Sequence, residues 1–147
     1  LSTSEKKWGR PYLSKDFFYR IHKTMRNRLV LFLAYVGGDC VAGTINFQNG
    51  DSIYGRYWGC KGNFRSLHFE LCYYQPIEYA IRKGLNLFEA GAQGEHKIQR
   101  GFLPELTYSA HWLEHSGFRS SISKFLEEEK VVIHQGIEEF WPHSPYS

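Results

Sequence analysis

Leu29-Val30-Leu31-Phe32-Leu33-Ala34-Tyr35-Val36, followed by Gly37-Gly38-Asp39, is the stretch that decides the fold. The run is nearly continuously apolar, which predicts a buried strand. Gly37-Gly38-Asp39 predicts a hairpin turn. A second strand, Cys40 to Phe47, closes on the turn signal Asn49-Gly50-Asp51. Ser52-Ile53-Tyr54-Gly55-Arg56-Tyr57-Trp58-Gly59 then reads as a third, so the middle of the chain is an antiparallel meander.

Upstream, Ser14 is placed to cap a helix whose apolar side carries Phe17, Phe18, Ile21 and Met25. His22, Lys23, Arg26 and Arg28 fit its solvated basic side. Leu1 to Leu13 is polar and turn-rich, and reads as a linker from a missing N-terminal part, since the chain opens on Leu1 rather than methionine.

Downstream, Ser66 is placed to cap a helix from Leu67 to Lys83, ending before Gly84. Pro76 inside that pattern removes a backbone donor and predicts a kink or a division. Leu85 to Ala90 is expected to be a fourth strand, and the alternation of Thr107 to Leu113 a fifth. His115-Ser116-Gly117 reads as a turn into a helix from Phe118, ended by Pro142 and Pro145. Glu127-Glu128-Glu129 reads as its solvated face. Strands, helix and strand in this order predict an α/β (α+β) layer with a mixed sheet.

The totals narrow the function. A length of 147 residues suits one domain with its own core. A net charge of +3 is too weak a basic signal to argue for nucleic acid. Cys40, Cys60 and Cys72 are odd in number and lack metal-ligand spacing, and the histidines add none, so no metal is expected. Free cysteines suit a reducing compartment, and no apolar run approaches the ~20 residues of a membrane span. A cytoplasmic protein is expected.

Three constellations could carry chemistry. Gly59, Lys61, Gly62 and Arg65 lie between the third strand and the following helix, where glycines and backbone amides suit a pyrophosphate. An ordinary glycine-rich connection explains them equally well. His68, Glu70 and Tyr74 lie on that helix; His68 and Glu70 point to different faces, and Tyr74 is spaced to bond Glu70. Core packing is the competing explanation. Finally, Glu89 to Pro104 brings Glu95, His96, Lys97 and Arg100 together past the end of the fourth strand, where open α/β sheets place ligands. In a short α-helix from Gln93 or Gly94, His96 and Arg100 would share a face. Glu95 or His96 could accept a proton, and Lys97 or Arg100 hold a phosphate or carboxylate.

YGRYWG at Tyr54–Gly59, LHFELCYYQPIEYAI at Leu67–Ile81, GAQGEHK at Gly91–Lys97, the Arg-Gly-Phe and Pro of Arg100–Pro104, and TYSAHW at Thr107–Trp112 resemble a bacterial FemAB-like family of peptidoglycan biosynthesis or recognition proteins within the GNAT acyltransferase superfamily. The resemblance covers nearly the whole chain and implies the C-terminal half of a two-part protein, with a GNAT-like domain over residues 14–147. It implies an antiparallel front, helices on both faces of a mixed sheet, and transfer of an acyl or aminoacyl group to an amine, extending to a cell-wall precursor. The donor would be acyl-CoA or aminoacyl-tRNA. Cys60-Lys61-Gly62-Asn63-Phe64-Arg65 departs from the Q/R-x-x-G-x-G/A loop of GNAT enzymes, whereas FemAB transferases proper use aminoacyl-tRNA and need no such loop.

Within this frame Glu95 or His96 is the expected catalytic base. Lys97, Arg100, His68, Glu70, Tyr74, Arg56 and Trp58 would bind substrate, and Gly59, Lys61, Gly62 and Arg65 the donor. A reading from another class is a non-catalytic peptidoglycan or peptide recognition module, with Tyr54, Tyr57, Trp58, Tyr73 and Tyr74 as a stacking platform. A third is a homodimer in which a sheet edge pairs with a second copy in place of the missing half.

Overall fold

The computed structural model describes residues 13–91 and 95–143, apart from the side chains of Glu95, His96 and His143. It forms two compact units, dividing between Ala92 and Gln93. The first unit is α1 (Lys15–Met25), β1 (Leu29–Val36), β2 (Asp39–Asn49), β3 (Ser52–Cys60), a short α2 (Leu67–Phe69), a π-helical turn (Glu70–Tyr74), α3 (Gln75–Lys83) and β4 (Leu87–Glu89).

The meander forms as its turns dictate. Gly37, Gly38 and Gly50 adopt φ of 57°, 89° and 59°, which L side chains resist. The sheet order is β1-β2-β3-β4, antiparallel except for the parallel β3–β4 pair, so the mixed α+β sheet is observed. Strand β4 is shorter than Leu85 to Ala90, because Leu85 N–H still donates to Ala80 O in the helix cap.

Helices cover both faces of the sheet. On one, Phe17 and Phe18 of α1 meet Tyr57 edge-on, with centroids 6.2 and 5.9 Å apart. Ser14 caps α1 as expected, its Oγ accepting the Phe17 N–H at 3.3 Å. On the other, the π turn and α3 close a core of Ala42, Thr44, Asn46, Ile53, Leu71, Tyr73, Pro76 and Ala80. Phe32 meets Tyr79 edge-on at 5.9 Å, and the Tyr79 hydroxyl donates to Gln48 Oε1 at 2.8 Å. Strand β1 is not buried as its composition predicts. It is the sheet's edge, and Leu31, Leu33 and Tyr35 are 52%, 45% and 60% exposed along one face.

Pro76 does divide its helix, and the division has a register. Gln75 N–H donates to Glu70 O, five residues back, so one residue is inserted before α3 begins with proline in its first turn. Ser66 does not cap the preceding turn. It sits at φ 61° with no side-chain capping bond, and Leu67 N–H donates instead to Phe64 O.

The second unit holds a 3₁₀ helix (Glu95–Arg100), an irregular segment 102–113, α4 (Ser116–Phe140) and a terminal 3₁₀ turn (Trp141–His143). Thr107 to Leu113 is not a fifth strand. Residues 105–112 are all exposed, so the alternation buries neither face and the segment has no core to be pinned against. Helix α4 starts before Phe118: His115 Nδ1 accepts the Phe118 N–H at 3.2 Å, making Ser116 the first helical residue. The helix runs unbroken through Val131-Val132-Ile133 and Gly136. Its acidic run is exposed, and Lys130 pairs with Glu127 at 2.8 Å across the surface.

Candidate functional site

In the first unit the site is set by how β3 and β4 part. They pair at Ser52–Leu87, Ile53–Phe88 and Tyr54–Glu89, and β4 ends there. Strand β3 continues to Cys60, paired with β2 throughout, but no strand lies on its other side from Gly55 onward among the described residues. A crevice beyond the carboxyl ends of two parallel strands is where open sheets receive ligands. The pairing register skips a residue between Ile45–Tyr57 and Asn46–Gly55, leaving Arg56 as the extra residue of a β-bulge. Bulges re-aim side chains, and Arg56 is exposed.

Trp58 and His68 are brought together. Their rings meet edge-on at 5.4 Å and 88°. His68 also meets Phe69 at 5.5 Å and Tyr73 at 5.8 Å, both edge-on. Tyr73 is 4% exposed, so this side of the cluster is core rather than platform. Tyr57 likewise packs under α1. Glu70 points away to solvent. Its partner is not Tyr74, as α-helical spacing predicts, but Gln75, whose Nε2 donates to Glu70 Oε1 at 2.9 Å, because the π register brings the fifth residue round. Tyr74 is half exposed.

The connection from β3 offers two exposed cations, Lys61 and Arg65, to an anionic donor. One of its backbone amides and the Cys60 thiol are already engaged within the chain. The Lys61 N–H donates to Val41 O at 2.8 Å, and the Cys60 thiol donates to Gly62 O at 3.1 Å. A Cβ on Gly62 would lie 3.1 Å from the Phe64 ring, so phenylalanine already occupies the approach to that glycine. The α-helical turn that follows is only Leu67–Phe69. Gly59 lies within β3, opposite Gly43.

In the second unit, Glu95 to Arg100 is a 3₁₀ helix rather than an α-helix. Three residues per turn align Lys97 with Arg100, not His96 with Arg100. Both cations are half-buried. Phe102 N–H donates to Lys97 O at 3.1 Å and Gly101, at φ 84°, donates to Ile98 O at 2.9 Å, which fixes the helix end. The side chains of Glu95 and His96 lie outside the described residues.

Sequence reasoning passed over a polar pair beyond this helix. Ser109 Oγ and His111 Nε2 are 2.9 Å apart, and Arg119 lies 5.8 Å from the centre of the Trp112 ring. The TYSAHW phrase holds three of these residues, but read as a strand it pointed to packing. Among the described residues no three His, Cys, Asp or Glu side chains group as metal ligands would, and Cys40, Cys60 and Cys72 form no disulfide. Among the described residues no helix is long and apolar enough to cross a membrane.

The fold and site define a mixed α+β protein whose parallel strands part after Tyr54 and Glu89. The chain belongs to the FemAB-like family, described as peptidoglycan biosynthesis/recognition, which it matches over residues 1–147. Its function is therefore related to peptidoglycan. No curated protein and no solved structure matches it.

Proposed function

We propose that this protein transfers an acyl or aminoacyl group to an amine of a peptidoglycan precursor. The observation that supports this reading is the parting of β3 and β4 after Tyr54 and Glu89, with Trp58 and His68 on the continuing strand and the helix beyond it. An acyl chain or peptide stem placed there gains strand-edge hydrogen bonds from β3 and an aromatic wall from Trp58.

In the reaction, the amine lone pair attacks the carbonyl carbon of an activated ester or thioester, and the C–N bond forms. The C–O bond to an aminoacyl-tRNA donor, or the C–S bond to coenzyme A, breaks, and the departing oxygen or sulfur takes up a proton. The amine proton goes to His96 or Glu95 as the general base. Lys97 and Arg100, aligned on the 3₁₀ helix, hold a carboxylate or phosphate of the acceptor. The Phe64 ring over Gly62 favours aminoacyl-tRNA over acyl-CoA, with Lys61 and Arg65 serving phosphates by charge alone. A recognition module without turnover is the second reading, favoured by the exposed aromatics Tyr108 and Trp112.

Mass spectrometry of a muropeptide incubated with the protein and either donor tests this. The expected result is one acyl residue added to the acceptor amine, with His96→Asn and Glu95→Gln each lowering turnover at least ten-fold while binding persists. Binding without any mass increase would leave the recognition reading in its place.

A further inference from the structure

Segment 102–113 lacks helix or strand yet is firmly fastened at its end. Arg119 donates from Nε to Leu113 O at 2.7 Å and from Nη2 to Glu114 O at 3.3 Å. The same guanidinium steadies the indole of Trp112. Trp112 nevertheless remains 77% exposed, and Tyr108, four residues earlier, is 89% exposed. Between them the Ser109 hydroxyl and His111 Nε2 share a hydrogen bond at 2.9 Å, with both residues exposed. An irregular segment this long is uncommon in a compact domain and is usually either a functional loop or a linker.

We infer that Tyr108, Ser109, His111 and Trp112 form a saccharide-binding face for a neutral pyranose of a glycan strand. A pyranose presents a face of C–H groups and a rim of hydroxyls. An exposed indole suits the first, because its π face is electron-rich and its position is set by Arg119. The Ser109–His111 pair suits the second, because in either tautomer it offers both a donor and an acceptor beside the ring. Charge selects against an anion here: Arg119 spends donors on two carbonyls, and Glu105 and Glu114 are exposed at either end of the segment. The choice of a glycan rests on the peptidoglycan-related reading, but no step of acyl transfer is needed for it.

The test follows the Trp112 indole N–H by NMR, assigned with Trp112→Phe, during titration of the whole chain with a neutral disaccharide of N-acetylglucosamine and separately with a sugar-free stem peptide. The disaccharide should move the signal saturably and the peptide should not. Trp112→Ala should weaken disaccharide binding at least ten-fold, and Tyr108→Ala, at a position that packs against almost nothing, several-fold. An unmoved signal, an equal response to the stem peptide, or unchanged affinity in both variants overturns the inference. Acyl transfer to a sugar-free amine is read on the same variants. Turnover with a silent Trp112 removes the saccharide face alone, and a responding Trp112 without turnover removes the transfer reading alone.

Discussion

The Thr44 hydroxyl donates to the Leu71 carbonyl at 3.3 Å, joining the centre of the sheet to the π turn within the core. In the register that Gln75 and Glu70 establish, the amide due to reach Leu71 O is that of residue 76, and Pro76 has no N–H. Thr44 stands in for it. Its oxygen in turn accepts from Asn46 Nδ2 at 3.1 Å, so two other polar groups, Leu71 O and the Asn46 amide, meet on one buried hydroxyl.

Thr44→Val should therefore destabilise the protein by about 1–3 kcal/mol, the cost of leaving buried polar groups unpaired. Thr44→Ser should recover most of the loss. Urea unfolding of the three proteins measures this, and a Val variant as stable as the wild type would show that the bond contributes nothing.

Pro76→Ala returns an amide to the helix, and with it a second donor for Leu71. The penalty of Thr44→Val should then be smaller when Pro76→Ala is already present, by about 1 kcal/mol of coupling. A double-mutant cycle isolates that term from the packing lost with the proline ring. Strict additivity would separate Pro76 from Thr44.

Asp51 anchors the first residues of β4. Its backbone carbonyl accepts from Asn86 and Leu87 N–H at 2.8 and 3.3 Å. Its carboxylate accepts from Asn86 Nδ2 at 2.7 Å and from the Ser52 hydroxyl at 3.1 Å. Asn86 first, and Ser52 second, hold the carboxyl below its ordinary range. Because the folded value is the lower one, the stabilisation is fully present above the unfolded pKa and is lost as pH falls through the folded pKa. Asn86→Ala should raise the Asp51 titration midpoint, followed by carboxyl carbon NMR. An identical curve in the variant would assign the shift elsewhere.

Two glycines should respond oppositely to alanine. Gly84 ends α3 at φ 64°, its N–H donating to Ile81 O at 3.1 Å, and an added Cβ would meet nothing within 4 Å. Gly84→Ala should cost about 1 kcal/mol from the backbone alone. Gly136 lies inside α4, also with nothing within 4 Å, and Gly136→Ala should stabilise that helix by about 0.5–1 kcal/mol. Thermal melts by circular dichroism give both signs, and equal signs would refute the distinction.

The meander was legible because Gly37-Gly38 and Gly50 announce turns between apolar runs. Local chemistry was enough there. Pro76 announced a break but not its kind, since a π turn depends on which carbonyl finds a substitute donor, and Thr44 lies 27 residues away. The bulge at Arg56 was hidden for the same reason: it is a property of the register between strands. Thr107 to Leu113 misled because alternation describes a strand only where one face is covered. Trp58 and His68 were both legible as candidates, but their meeting required the fold. Glu70 changed partner by one residue with the helix register.

The three-residue pairing of β3 with β4 also sets an order of events. Strands β1 to β3 are joined by tight turns and close locally, whereas β4 must wait for the whole crossover through α3 before its parallel rungs can form. Those rungs are then the last made and the first undone. Amide hydrogen exchange should find Phe88 and Glu89 opening at a fraction of the free energy that protects Thr44 and Ile45. Uniform protection across all four strands would contradict this. Strand β4 can thus open while the meander stays folded, and on the proposed acyl-transfer reading that opening would admit a bulky precursor without global unfolding.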